Sequence, residues 1–174
     1  MDTESKLRHG QAMSMQWVGY LLRQVIADID HGGANTINIL KHARSVDSST
    51  GLIPLKAGCT YVEQFFLAFA IELGLKALLL DEGVAPPFKH DLSYLYNTLT
   101  KDTKERLQTA MDSMAPTLDM SIFFQTHKDD FINWRYLENI ELQETAPQEL
   151  HLVICAILDV YNKNTVQHNN CPSG

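Results

Sequence analysis

The run Ala68-Phe69-Ala70-Ile71-Glu72-Leu73-Gly74-Leu75-Lys76-Ala77-Leu78-Leu79-Leu80 sets a carboxylate and an ammonium one helical turn apart inside an otherwise apolar segment. Burying either charge alone is expensive, so Glu72 and Lys76 must pair with each other or point together into a polar seam. A carboxylate four residues ahead of a lysine contributes only a few tenths of a kcal/mol on an exposed helix, too little to account for two charges in so apolar a place. Two readings stay open: a structural ion pair at the edge of the core, and a polar cleft of the kind in which titratable groups do chemistry. The most apolar stretch, Phe65 to Leu80, spans 16 residues. That is short of the roughly 20 needed to cross a bilayer, so it reads as a core helix and no membrane association is expected.

The rest of the chain reads as helices around it. Trp17, Val18, Leu21, Leu22, Val25, Ile26 and Ile29 recur at one-face helical spacing until His31-Gly32-Gly33 stops them. A weaker helix follows with Ile37, Leu40 and Ala43 inward, then a turn at 47–51, then an irregular, non-helical connection from Leu52 to Gly58 around Pro54. The central helix is expected over about residues 60–82, in the middle of the bundle, with Gly83 as its carboxy-terminal cap. Val84 to Lys89 forms a stiff linker because Pro86 and Pro87 cannot continue a helix. Asp91 caps a short helix bearing Leu92, Leu95, Tyr96 and Leu99, and a further helix runs from Thr103 to Met114. Phe123 to Lys128 is a loop or a single helical turn. Asp129-Asp130 opens a helix with Phe131, Trp134 and Leu137 on one side and Arg135 and Glu138 on another. Thr145-Ala146-Pro147-Gln148 starts the last helix, which carries Leu150, Ile154, Ile157, Leu158 and Tyr161. With no strand-like alternation and no repeat, the expected fold is an all-α, up-and-down bundle: one domain over residues 1–164, followed by a polar, disordered tail over 165–174.

Charge and cysteine usage narrow the function. A net charge of -7 and a pI near 5.4 argue against the broad basic surface that neutralises a nucleic-acid backbone. Lys101, Lys104 and Arg106 are diluted by Asp102 and Glu105 and read as a solvated helix start. Cys59, Cys155 and Cys171 form no C-x-x-C pattern, which speaks against a disulfide framework or a zinc knuckle and for a reducing cytoplasm. The polar residues 1–10 carry no signal-peptide pattern. P-loop, dinucleotide-binding, serine-hydrolase and zincin motifs are all absent.

Three groups of residues remain for chemistry. Glu72 and Lys76 form the first. His90, at a helix amino terminus beside Asp91, sits where backbone amides favour an anion, or is merely an exposed residue at a cap. In Trp134-Arg135-Tyr136-Leu137-Glu138 a guanidinium lies between aromatics, a composition suited to base stacking and phosphate forks and equally to a buried structural arginine. His127 with Asp130 is too weak a pair for a metal, and neither metal nor cofactor is expected.

The order of these blocks, Glu72-x-x-x-Lys76 in an apolar helix, His90-Asp91-Leu92-x-x-Leu95, then Trp134-Arg135-Tyr136-x-x-Glu138, resembles the HEPN superfamily of small prokaryotic all-helical domains. The resemblance covers roughly residues 50 to 160. It implies a bundle that commonly dimerises, found among toxin–antitoxin, anti-phage and CRISPR-associated ribonucleases and among silent partners of nucleotidyltransferases. Active members carry an Arg followed by four to six residues and a His. Here Arg23 precedes His31 by seven intervening residues and Arg135 precedes His151 by fifteen, so that catalytic pair is not carried over. The resulting expectation is a cytoplasmic homodimer that binds RNA, a nucleotide or a protein partner such as an antitoxin or nucleotidyltransferase. Its seam would be lined by Glu72, Lys76, His90, Asp91, Arg135, Tyr136 and Glu138. The alternatives are a divergent metal-independent ribonuclease using His90 and Arg135, and a structural dimerisation module. The dimer is expected because Trp17, Phe123, Phe124 and Trp134 exceed what one bundle readily buries.

Overall fold

Helices alone make up the regular structure of the computed structural model, which describes residues 3–32, 52–129 and 147–170. Six are found among them: α1 (Thr3–Asp30), α2 (Leu52–Asp81), α3 (Leu92–Thr98), α4 (Lys101–Asp112), α5 (Met120–Thr126) and α6 (Pro147–Asn170). The expected helix around 37–46 and the block from Trp134 to Glu138 lie outside the described residues. The fold is the all-α bundle that the periodicity predicts.

Helix α1 meets α2 through a different seam from the one its large apolar residues suggest. Its buried positions are Ser5, Ala12, Gly19 and Ile26, one every seven residues. This is a narrow coiled-coil-like stripe. Three of the four are small, so the backbones approach closely: a Cβ on Gly19 would lie 2.9 Å from Leu67 Cδ2. Trp17 and Leu21, expected inward, are instead 62% and 61% exposed. The helices run antiparallel, since Ser5 Oγ donates to the Ala77 carbonyl at 3.0 Å while Arg23 reaches Glu63 near the other end. Helix α6 lies along the same groove parallel to α2, with His151 beside Glu63 and Asn164 donating to Asp81 at 2.8 Å. Helix α4 closes the far side of α6, where Arg106 is hydrogen-bonded to Asn164.

Helix α2 is the axis of the molecule. Every residue from Leu67 to Leu79 except the half-buried Phe69 is buried, as an all-round apolar helix demands. It begins at Leu52, which corrects the expected irregular connection over Leu52–Gly58. Pro54 falls in the first turn, where its missing N–H would have had no helical partner anyway. At the other end Gly83, at φ 76°, donates to Leu80 O while Val84 donates to Leu79 O. These two bonds make the Schellman stop that the sequence predicts at Gly83.

The short helices are each started by a side-chain cap: Asp91 accepts from Tyr94 N, Thr100 from Thr103 N, and Asp119 from Ser121 N and Ile122 N. The Asp119 cap is why residues 120–126 form a helix. It turns Phe123 and Phe124 into the core, where Phe124 stacks on Tyr96 with ring centroids 4.5 Å apart. Those two aromatics are therefore not surplus surface awaiting a dimer partner. At the end of the chain α6 runs to Asn170, past Asn164, whose buried amide ties it to both Asp81 and Arg106. Among the described residues no helix is long and apolar enough to cross a membrane.

Candidate functional site

Two acidic residues of α2, Glu63 and Glu72, are buried, and they are nine positions apart. That is about two and a half helical turns, so they face opposite sides of the helix. Each gathers basic groups from other parts of the chain, and the result is two polar clusters.

The Glu72 cluster is assembled from α2 and the linker before α3. Lys76 Nζ donates to Glu72 Oε1 at 2.6 Å, and His90 Nδ1 lies 3.1 and 3.0 Å from the two carboxylate oxygens. The linker delivers His90 there for local reasons. The stop at Gly83 reverses the chain, Pro86-Pro87 keeps it extended, and Leu92 N donates to Lys128 O at 3.0 Å, which fixes where α3 begins. Glu72 is 2% exposed and Lys76 buried, whereas the His90 side chain is 45% exposed. The cluster thus opens to solvent at its imidazole end. Since a carboxylate only accepts, Nδ1 carries the proton, and in the neutral ring Nε2 is the basic nitrogen. A carboxylate that orients an imidazole in this way is what general acid–base chemistry requires.

Of the residues expected to share this seam, Glu72, Lys76 and His90 come together. Asp91 adjoins them but spends a carboxylate oxygen on the α3 cap, at 2.8 Å from Tyr94 N. Arg135, Tyr136 and Glu138 lie outside the described residues. No group of three or more metal-ligating side chains converges among the described residues.

The Glu63 cluster has no counterpart in the sequence reading. Glu63 is fully buried between α1 and α6; Arg23 Nε donates to its Oε1 at 2.8 Å, and His151 Nε2 lies 3.4 Å from the same oxygen. The His151 contact has ion-pair distance but no hydrogen bond: among the described residues Nε2 has no hydrogen-bond partner, and neither have Glu63 Oε2 and Arg23 Nη2. Burial, and after it the nearby Glu63 charge, pushes the Cys59 thiol above its ordinary value. Above the cluster a groove of about 650 Å³ is lined by Trp17, Tyr20, Arg23, Gln148, His151 and Leu152, among others. The missed signal was Glu63 itself, a third buried charge in the apolar helix beside Glu72 and Lys76. Its partners come from opposite ends of the chain, so no linear Arg-to-His spacing would reveal them.

A family model described as HEPN domain matches residues 55–145, slightly more than half of the chain. The match takes in Glu63, Glu72, Lys76, His90 and Arg135 and leaves out Arg23 and His151. No curated protein and no solved structure matches the chain.

Proposed function

Because the chain belongs to the HEPN domain family, we propose that it is an RNA-binding domain of a bacterial defence, toxin–antitoxin or stress system, with the Glu72–Lys76–His90 cluster in its contact surface. The observation that carries the reading is the half-open imidazole of His90, held from behind by a buried carboxylate. With Nδ1 donating to Glu72, the outer Nε2 accepts from a ribose hydroxyl or a base-edge amine in the neutral ring and donates to a phosphate once the ring is protonated, and Arg135 and Tyr136 supply a guanidinium and a stacking ring in the same family-matched region. The acidic overall charge restricts the contact to a few phosphates. The dependence of log K on log salt is therefore shallow, about -0.7 to -1.4 for one or two phosphates of a single strand.

The protein acts in the cytoplasm as a two-fold homodimer, alone or with an antitoxin or nucleotidyltransferase partner. Exposed Trp17, Tyr20 and Leu21 on α1 support an interface there. The second reading, a divergent metal-independent ribonuclease, draws on the same carboxylate–imidazole pair, with His90 as acid/base. Against it stand the missing Arg-x4-6-His pair and the neutralisation of Glu72 by Lys76. Weak or no cleavage is expected. The test is fluorescence anisotropy with a short labelled single-stranded RNA, scored alongside cleavage on a gel. Loss of binding in folded His90→Ala supports the reading. Unchanged binding removes it, and robust cleavage abolished by His90→Ala promotes the ribonuclease.

A further inference from the structure

Phe88 is fully exposed, at 109%, and among the described residues no other large apolar side chain comes near it: the next, Ile122, is 66% exposed. A single exposed apolar residue is ordinary, but this one is carried by a segment fixed at both ends. Before it the Gly83 and Val84 amides close on the Leu80 and Leu79 carbonyls, and after it Asp91 caps α3 while Leu92 N donates to Lys128 O. Between those anchors Pro86 and Pro87 restrict the backbone directly ahead of the ring. A stiff loop thus holds the ring out in water, and little conformational freedom is left to lose when something covers it.

The neighbours of the ring indicate what covers it. Lys89 Nζ sits over the Tyr94 ring, 4.3 Å from its centroid, which fixes the ammonium beside Phe88. His90 follows at the open end of the Glu72 cluster. The carboxylates of this edge are already engaged, Glu72 by Lys76 and His90, Asp91 by Tyr94 N, and Asp129 by Lys128. An apolar ring set among charged groups is a poor centre for a protein interface, where charge is depleted. It is the composition of a single-strand contact, in which a base stacks on an aromatic face while a cation takes the neighbouring phosphate. We propose that Phe88 is the base-stacking residue of the RNA contact, that Lys89 holds the adjoining phosphate, and that this edge takes unpaired RNA and rejects duplex. Inside a duplex both faces of each base are already stacked, so none is left for the ring. Every base has such a face, so the selection is for an unpaired strand and not for a sequence. The role of Phe88 rests on the reading of the His90 edge as an RNA contact.

The experiment is fluorescence anisotropy of the full chain with a short labelled single-stranded RNA and with the same RNA annealed to its complement, run on the wild type, Phe88→Ala, Phe88→Leu, Phe88→Trp and Lys89→Ala. The Phe88 side chain is uncovered, so its substitution leaves the fold intact, which circular dichroism checks. Phe88→Ala and Phe88→Leu should weaken single-strand binding about tenfold at an unchanged salt slope, and Phe88→Trp should restore it. Lys89→Ala should instead flatten the slope of log K on log salt by about 0.7, the share of one phosphate. The wild type should bind the single strand about tenfold more tightly than the duplex, and Phe88→Ala should narrow that gap. Phe88→Ala that binds like the wild type, while His90→Ala loses binding, overturns the stacking role and leaves the His90 reading standing. Absence of binding by either RNA removes both. Phe88→Leu that binds like the wild type, or duplex bound as tightly as the single strand, also overturns the role, since neither requires a ring face. Light scattering on the same variants separates the other use of an exposed ring: a mass that falls in Phe88→Ala with RNA affinity unchanged makes Phe88 a protein contact and overturns the proposal.

Discussion

Arg23 donates its Nε proton to Glu63 Oε1 at 2.8 Å across the α1–α2 seam, and Glu63 is fully buried. Removing one member of such a pair leaves a charge in the core without its main partner, whereas removing both does not. Arg23→Met should lower unfolding stability by about 3 kcal/mol, and Arg23→Met with Glu63→Leu should recover most of that loss. Urea unfolding of the two single variants and the double variant measures it. Additive losses would mean that the contact carries no coupling.

Two helical glycines, one exposed and one buried, should respond oppositely to alanine. Gly10 lies exposed within α1, and a Cβ there meets nothing within 4 Å. Gly10→Ala should therefore gain up to about 1 kcal/mol in helix propensity. A Cβ on Gly74 would lie 2.6 Å from the branch methyl Cγ2 of Ile157, which cannot swing away as the tip of a flexible chain does. Gly74→Ala should cost about 1–3 kcal/mol as α2 and α6 are forced apart, and Ile157→Ala in the same chain should relieve part of that cost. Thermal or urea unfolding of the variants reads both signs.

His9 stacks on Tyr161 with centroids 4.1 Å apart, and its burial holds the imidazole below its ordinary value of 6.5, partly opposed by a hydrogen bond with Asn162. As pH falls, the unfolded chain therefore takes up the proton first. The contribution of His9 to stability is complete above about pH 6.5, declines below it, and is lost once the pH passes under the folded-state value. The urea midpoint should drop less between about pH 7.5 and 5.5 in His9→Phe, which keeps the stack, than in the wild type. Equal drops would contradict the assignment.

How far the sequence could be read depended on whether a residue's partner is local. The Glu72–Lys76 pair is legible because both charges share one helix, and the Gly83 stop and the Asp91 cap are legible because their bonds close within a few residues. The α1 seam is not, because small residues such as Ala12 and Gly19 leave no hydrophobic signature, while Trp17 and Leu21 do. Phe123-Phe124 reads as surplus until Asp119 is recognised as a cap that turns the pair inward. Glu63 shows the limit most plainly. Its partners Arg23 and His151 meet only through the docking of α1 and α6 against α2.

Asp91 ties the fold to the His90 edge. Its cap to Tyr94 N fixes the first turn of α3, and the preceding residue is the imidazole that meets Glu72. Asp91→Ala should cost about 1 kcal/mol of stability. Because His90 then loses its anchor, RNA binding should also weaken, and Asp91→Asn, which keeps a capping oxygen, should restore most of both. Anisotropy and urea unfolding on the same preparations would expose a purely structural cap as a loss of stability without loss of binding.

The most direct measurement of the RNA-binding reading is a titration followed through the histidine side-chain nitrogens by NMR. In the free protein His90 should show the Nδ1-protonated pattern that its bond to Glu72 demands. On addition of a short single-stranded RNA the His90 signals should shift and saturate, while those of His31, exposed at the far end of α1, should stay in place. RNA that binds without moving His90, or that binds His90→Ala as tightly as the wild type, would contradict the account.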